Sequence, residues 1–235
     1  MALIKFLRCP LYLAVLFLLG TTAAVNTAIY SVPSQTEGEN NIALTFDDGP
    51  HGTLTPRLLN TLKQYNASAT FYVMGIKVAK HESIITRAVS EGHEIANHVW
   101  NHPVLTKISF DAVYDQLLRT NIAIQSIQNF APKTMRPPYG NTNKNLNSYI
   151  TEKGNLSVVM WSLDTLDWRR PTPQSIVDLA LKKVKKGDII LCHDIHPGTI
   201  EVSRTNCANE ISNHKNNSTN ARLTFKIQQL AYFAF

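Results

Sequence analysis

Cysteine is scarce in this chain, with three in 235 residues, at positions 9, 192 and 207. A disulfide framework is excluded, because Cys9 lies in an N-terminal leader and Cys192 and Cys207 make one bridge at most. Cys192 sits inside an apolar run and reads as a small buried core residue. Charge is also sparse, at 17% of residues against 44% hydrophobic, a balance that excludes a disordered chain. No basic run is interleaved with aromatics, so nucleic acid is not an expected partner. Internal repeats are missing too. The net charge is +6; without the leader's Lys5 and Arg8 it is 21 basic against 17 acidic residues, or +4. So mild an excess suits an anionic surface such as a cell wall.

What the chain does have is length for one domain with a substantial core. Residues 1–24 read as a secretory signal: Lys5 and Arg8 as the positive region, Leu11–Leu19 as the apolar region, and Thr22 and Ala24 as a cleavage pair. An uncleaved anchor is the competing reading, since Cys9–Tyr30 is almost long enough to span a bilayer. Pro10 and the polar run Thr21–Thr27 argue against it. Either way the remainder is expected outside the cytoplasm, with membrane contact only through an uncleaved leader, and as a monomer.

Residues 25–41 read as a polar linker, and strand-like and helix-like stretches then alternate. Ile42–Phe46, Ala69–Met74, Val158–Trp161 and Ile189–Leu191 read as strands. Helices are expected from Thr55 as N-cap with Pro56 in the first turn, through Ile84, Ile85 and Val89 to Gly92, from Ser109 through Ile127, and from Thr172 and Pro173 to Gly187. Lys182, Lys183, Lys185 and Lys186 are placed in the last turn of that final helix. One strand per helix implies parallel strands and an α/β fold. Polar residues recur just after strand ends, which favours a barrel with its site at the C-terminal ends of the strands.

Five short motifs carry chemistry. In Thr45-Phe46-Asp47-Asp48-Gly49-Pro50, two adjacent carboxylates repel unless something positive lies beside them; a metal on one leaves the other free as a base. A solvated Asp-Gly turn is the alternative. In His98-Val99-Trp100-Asn101-His102, two histidines four apart on a helical turn would share a face and reach one cation. Two imidazoles and a carboxylate suit zinc with open positions for water and substrate, although surface histidines are equally common. In Arg136-Pro137-Pro138-Tyr139-Gly140, the prolines stiffen a backbone that can present an N–H, and Arg136 can hold a carboxylate in a fork-like pair; a structural loop is the alternative. Trp161–Trp168 (WSLDTLDW) and Leu191-Cys192-His193-Asp194 complete the set. His193 is a candidate general acid that Asp167 could keep protonated. The tryptophans suit sugar faces or an acetyl methyl pocket, with core packing as the commoner fate.

In this order, from about Asn41 to Thr199, the motifs resemble the NodB-like polysaccharide deacetylases, carbohydrate esterase family 4. The resemblance implies a distorted, incomplete (β/α) barrel over residues 42–200 and a metal-dependent deacetylase. It implies Asp47 as base, Asp48, His98 and His102 as ligands of one divalent ion (zinc first, cobalt as an alternative), and Arg136 orienting Asp47. Tyr139 would lend its N–H to the oxyanion and Asp167 would tune His193, while Trp168, Leu191, Trp161 and Pro138 would contact substrate. The substrate implied is an N-acetylated polysaccharide, peptidoglycan first, with chitin fragments or O-acetylated xylan open.

Two features depart from that family. Val99 stands where a Ser or Thr usually follows the first metal histidine, and the lost hydroxyl is expected to loosen the loop. Residues 201–235 form an atypical polar tail; Val202–Arg222 is expected to be poorly ordered, with Leu223, Phe225, Ile227 and Leu230 docking on the barrel. A damaged, non-catalytic glycan-binding relative is therefore a rival reading. A metal phosphoesterase is another, but no clear second set of ligands is found.

Overall fold

The two-residue period of β-strands decides which side chains face inward. The computed structural model describes residues 27–31, 41–204 and 226–228, and the statements that follow concern these. In β1 (Asn41–Asp47), Ile42 and Phe46 join a large apolar layer beneath the helices. Ala43 instead joins a small inner cluster with Tyr72, Ala96, Val159 and Ile189. Thr45 and Asp47 continue the Ala43 side, so Asp47 ends on the inner face.

On one side of β1 lie β2 (Thr70–Val73), β3 (Glu94–Asn97), β4 (Thr134–Met135) and β5 (Ser157–Val158). On the other lie β7 (Ile189–His193) and then β6 (Leu163–Asp164). Every pairing is parallel, and β5 does not pair with β6. The sheet is the expected incomplete (β/α) barrel. Residues 27–31 enter its gap: Ile29 N–H donates to Val158 O (2.8 Å), Met160 N–H donates to Ile29 O (2.8 Å), and Ser31 bridges Asp188. Part of the stretch expected as linker is thus docked, because β5 has an open edge whose backbone groups need partners.

The helices are α1 (Leu54–Gln64), α2 (Gly75–Val78), α3 (Glu82–Ser90), α4 (Phe110–Gln128), α5 (Lys144–Gly154), α6 (Pro173–Lys183) and α7 (Pro197–Arg204). Ser109 and Thr172 cap as expected, accepting from Ala112 N–H and Ser175 N–H. Thr55 does not cap: α1 starts one residue earlier, and His51 Nδ1 accepts from Leu54 N–H at 3.2 Å. The Thr55 hydroxyl donates instead to the buried carboxylate of Asp194. Leu58, Leu59 and Leu62 of α1 are buried, each worth roughly 1.5–3 kcal/mol. α6 ends at Lys183, so Lys185 and Lys186 lie beyond it, because the chain turns at Val184 towards Gly187 and β7.

One expectation for the C-terminal region needs correction. Val202 is buried in the large core as part of α7, so order extends past the position where the tail was expected to loosen. β8 (Lys226–Gln228), within the stretch expected to dock on the barrel, pairs in parallel with Asn41–Ala43 of β1. Residues 205–225, including Cys207, the leader, and the side chains of Leu223, Phe225, Ile227 and Leu230 lie outside the described residues. Cys192 is buried in the core, as expected. Among the described residues no helix is long and apolar enough to cross a membrane.

Candidate active site

Register aligns the strand ends. Asp47 pairs with Tyr72 on β2 and with His193 on β7, so the first and fifth motifs meet at one level. A cleft of about 450 Å³ opens there, lined by Asp47, Asp48, His98, His102, Tyr139, Trp161, Trp168, Leu191 and His193, together with Gly140 and Asp164.

Asp47 is buried and receives a hydrogen bond from Arg136 Nη1 at 2.7 Å. Arg136 is itself fully buried, with Nη1 also on Thr45 Oγ1, Nη2 on Met160 O and Nε on Val159 O. The expected fork on a carboxylate is therefore a single-point contact. The other donors are drawn to backbone carbonyls and a hydroxyl, because a buried guanidinium must satisfy all its N–H groups. Its Cζ lies 4.2 Å from the centre of the Tyr72 ring.

Asp48 follows in a left-handed conformation (φ 72°), which turns its side chain away from that of Asp47. Lys77 Nζ holds the Asp48 carbonyl at 2.7 Å, and Met74 N–H holds that of Gly49 at 3.0 Å. His98 Nε2 and His102 Nε2 lie 3.2 and 3.1 Å from Asp48 Oδ1, an oxygen that is buried without a hydrogen-bond partner. His98 Nδ1 is 2.7 Å from Arg136 O. A carbonyl only accepts, so Nδ1 carries a proton, and in that tautomer Nε2 turns a lone pair towards Asp48. Donor atoms of all three residues fall within 4.8 Å of one another. Converging lone pairs repel unless a cation lies among them, so these residues fit a metal ion. Burial opposes the charge on Asp48, but with a proton on Nε2 the His102 and His98 rings outweigh it and hold the carboxylate far below its usual range.

The histidine pair is not on a helical turn. His98–His102 is a loop after β3, with Val99 (φ 57°) and His102 (φ 66°) both left-handed. Asn97 Oδ1 accepts from Val99 N–H, and Gln116 Oε1 accepts from Trp100 and Asn101 N–H. The hydroxyl that Val99 lacks is thus not the loop's brace; backbone bonds to α4 and β3 side chains are, and Val99 itself is buried among Leu105, Val113 and Leu117.

Across the cleft, His193 Nδ1 is 2.8 Å from Asp167 Oδ1, while His193 N–H and Thr199 Oγ1 donate to Asp167 Oδ2 at 2.7 and 2.6 Å. Burial favours a neutral His193, but Asp167 first, then Asp47 and Asp48, hold it charged up to about 9. Asp167 is lowered despite burial, by His193 and Thr199. Tyr139 is left-handed (φ 60°), with an exposed ring edge-on to His102 at 4.5 Å. Gly140 (φ 62°) is required, since a Cβ there would fall 2.6 Å from Trp161 Cη2. Pro138 does not line the cleft: it starts the 3₁₀ turn Pro138–Gly140 and is buried behind it.

Sequence reasoning missed Thr199, Lys77, Gln116 and Asp164, whose Oδ2 accepts from Trp168 Nε1 at 3.3 Å. Asp164 was legible as the first acid of its motif; the others act through contacts that spacing does not reveal.

Comparison with known proteins agrees with this geometry. Residues 34–158 match the family described as polysaccharide deacetylase. The chain is 41% identical over 170 residues to the peptidoglycan-N-acetylglucosamine deacetylase PgdA of Listeria monocytogenes, covering 72% of this chain and 36% of the relative. It is 40% identical over 169 residues to a chitooligosaccharide deacetylase of Bradyrhizobium, covering 72% and 77%. The solved structure of peptidoglycan deacetylase PdaC from Bacillus subtilis superposes with a TM-score of 0.73 at 30% identity, covering 83% of this chain and 90% of that one. The chain thus spans about a third of the length of the listerial relative and most of the rhizobial one. With the motifs converging on one cleft and the matches covering most of the chain, this protein belongs to the polysaccharide deacetylase family.

Proposed function

We propose that this chain is an exported, zinc-dependent hydrolase that removes acetyl groups from the N-acetylglucosamine units of a polysaccharide, peptidoglycan first. The observation that carries the reading is the cleft itself, where Asp47 and His193 flank the Asp48–His98–His102 group as register partners on adjacent strands. The names of the listerial and Bacillus relatives support peptidoglycan, and the mild positive charge suits an anionic wall. Residues 42–200 are the catalytic unit, to which the docked segment 27–31 and the end of α7 belong in packing.

A divalent ion on Asp48, His98 and His102 supplies Lewis acidity that polarises the acetamide carbonyl and acidifies water. The protein's own residues do the rest. Asp47, oriented by Arg136, takes the proton of the attacking water. The Tyr139 N–H, presented by the left-handed turn, stabilises the tetrahedral oxyanion. His193, charged through Asp167, gives its proton to the leaving nitrogen, releasing acetate and a free amine. Trp161, Trp168 and Leu191 line the pocket for the acetyl methyl and sugar face.

Acetate release should be measured from peptidoglycan and from chitooligosaccharides, after chelation and after adding back zinc or cobalt. Zinc-restored release, faster on peptidoglycan, is the expected result. Full activity in the chelated protein would sink the metal reading. Preference for chitooligosaccharide would move the substrate to that of the rhizobial relative.

A further inference from the structure

One buried carboxylate has no place in the chemistry above. Asp194 follows His193, and the strand period turns it to the opposite face, towards α1. It is fully buried, its Oδ1 has no hydrogen-bond partner, and its Oδ2 accepts from Thr55 Oγ1. Thr55 Oγ1 in turn accepts from the His51 backbone N–H at 2.7 Å. The carboxyl also fills the space beneath Gly49: a Cβ on Gly49 would meet Asp194 Oδ2 at 2.3 Å and Oδ1 at 2.4 Å. Gly49 directly follows Asp48, and His51 is three residues on.

A turn carrying a metal ligand has little backbone pairing of its own and must be held by what surrounds it. From above, Lys77 and Met74 hold the Asp48 and Gly49 carbonyls. From below, packing of Gly49 on Asp194 and the Asp194–Thr55–His51 relay tie this turn to the end of β7. We infer that Asp194 is a positioning residue: through Thr55 it seats the Asp48–His51 turn on the strand end that carries His193. Asp48 and His193 then keep a fixed separation across the cleft. Gly49 is needed because any side chain there would displace the carboxyl, and Thr55 is needed as a hydroxyl because it must both donate and accept.

The inference rests on the proposed metal reading, and the experiment separates the two. Zinc affinity of the full chain is measured by competition with a chromophoric chelator, with kcat, KM and Tm determined alongside. Variants are Asp194→Ala, Asp194→Asn, Thr55→Val and Thr55→Ser, with Asp48→Asn as the ligand control. Asn keeps an acceptor for Thr55, and Ser keeps the hydroxyl, so both should restore wild-type affinity. Asp194→Ala and Thr55→Val should weaken zinc by about 10- to 100-fold, the range for outer-shell partners of a metal site, and lower kcat with KM little changed. Because Asp194→Ala opens a cavity and can prevent folding, the near-isosteric Thr55→Val carries the test alone if it must. Wild-type zinc affinity in Thr55→Val, with only Tm reduced, would overturn the inference and leave a purely structural pair. Failure of the wild-type chain itself to bind zinc would overturn the metal reading.

Discussion

Replacing Asp167 by Asn tests how His193 is kept charged. Asp167 Oδ1 faces His193 Nδ1, while Oδ2 takes two donors, His193 N–H and Thr199 Oγ1. An amide brings its own NH₂ against one of these donor sets, so a donor–donor clash replaces a charge-assisted bond. Burial pulls His193 towards the neutral form, and Asp167 is the strongest force against it, holding the ring up to about 9 against an ordinary 6.5. A shift of that size corresponds to on the order of 3 kcal/mol between the two protonation states. The folded pKa lies above the unfolded one, so this contribution is fully present below pH 6.5 and is lost as pH rises through 9. Asp167 is shifted the other way, so its contribution is present above its ordinary 3.8 and lost as pH falls through its lowered folded value. The pair therefore stabilises most between about pH 4 and 6.5. In Asp167→Asn the pH at which His193 loses its proton should fall by at least one unit, since burial then acts with little opposition. Histidine NMR titration of the metal-free chain reads this directly. Acetate-release rates should show the same displacement of the alkaline limb, because the leaving nitrogen needs the charged ring. A bound cation cancels the Asp48 contribution, so the limb in the loaded enzyme should lie below that of the metal-free titration. An alkaline limb and a titration both unchanged in Asp167→Asn would refute the reasoning.

Asp47→Asn should nearly abolish turnover while zinc binding stays close to wild type, whereas Asp48→Asn should lose zinc; equal metal loss in both would reverse the roles assigned to the two acids. His193→Ala should retain zinc and lose about 100- to 10,000-fold in kcat, as for a general acid, and an unchanged pH–rate profile would remove it from the mechanism. Gly140→Ala forces a Cβ to 2.6 Å from Trp161 and fixes a left-handed backbone, so it should cost roughly 1–2 kcal/mol in urea unfolding and raise KM as Trp161 shifts. Leu58→Ala, at a fully buried position of α1 in the main core, should cost about 2–5 kcal/mol with little effect on KM, and a cost under 1 kcal/mol would contradict the packing described.

The chemical residues were legible because each motif is local: an acid pair closing an apolar strand, a spaced histidine pair, a proline-stiffened loop, and a histidine at the end of another strand. β1 and β7 were legible for the same reason, since Ile42–Phe46 and Ile189–Leu191 are apolar runs long enough to carry a signal. β4, β5 and β6 were not, or only in part, because two-residue strands have no period of their own and exist through their neighbours' hydrogen bonds. α5 escaped notice for a related reason, burying only Leu146, Asn147 and Ile150. A spacing of four between His98 and His102 fits a helix and a loop equally well, and no local rule predicts a β-branched valine at φ 57°. That conformation persists because Asn97, Gln116 and the Leu105–Leu117 cluster hold it from outside. Identity and spacing within each motif were thus the sequence's own contribution. Bringing residues 48, 98, 102, 136 and 193 to one cleft was decided by parallel register, which pairs Asp47 with His193 across 146 positions of chain, together with the side-chain bonds that hold the loops, and neither can be read from any window of the sequence.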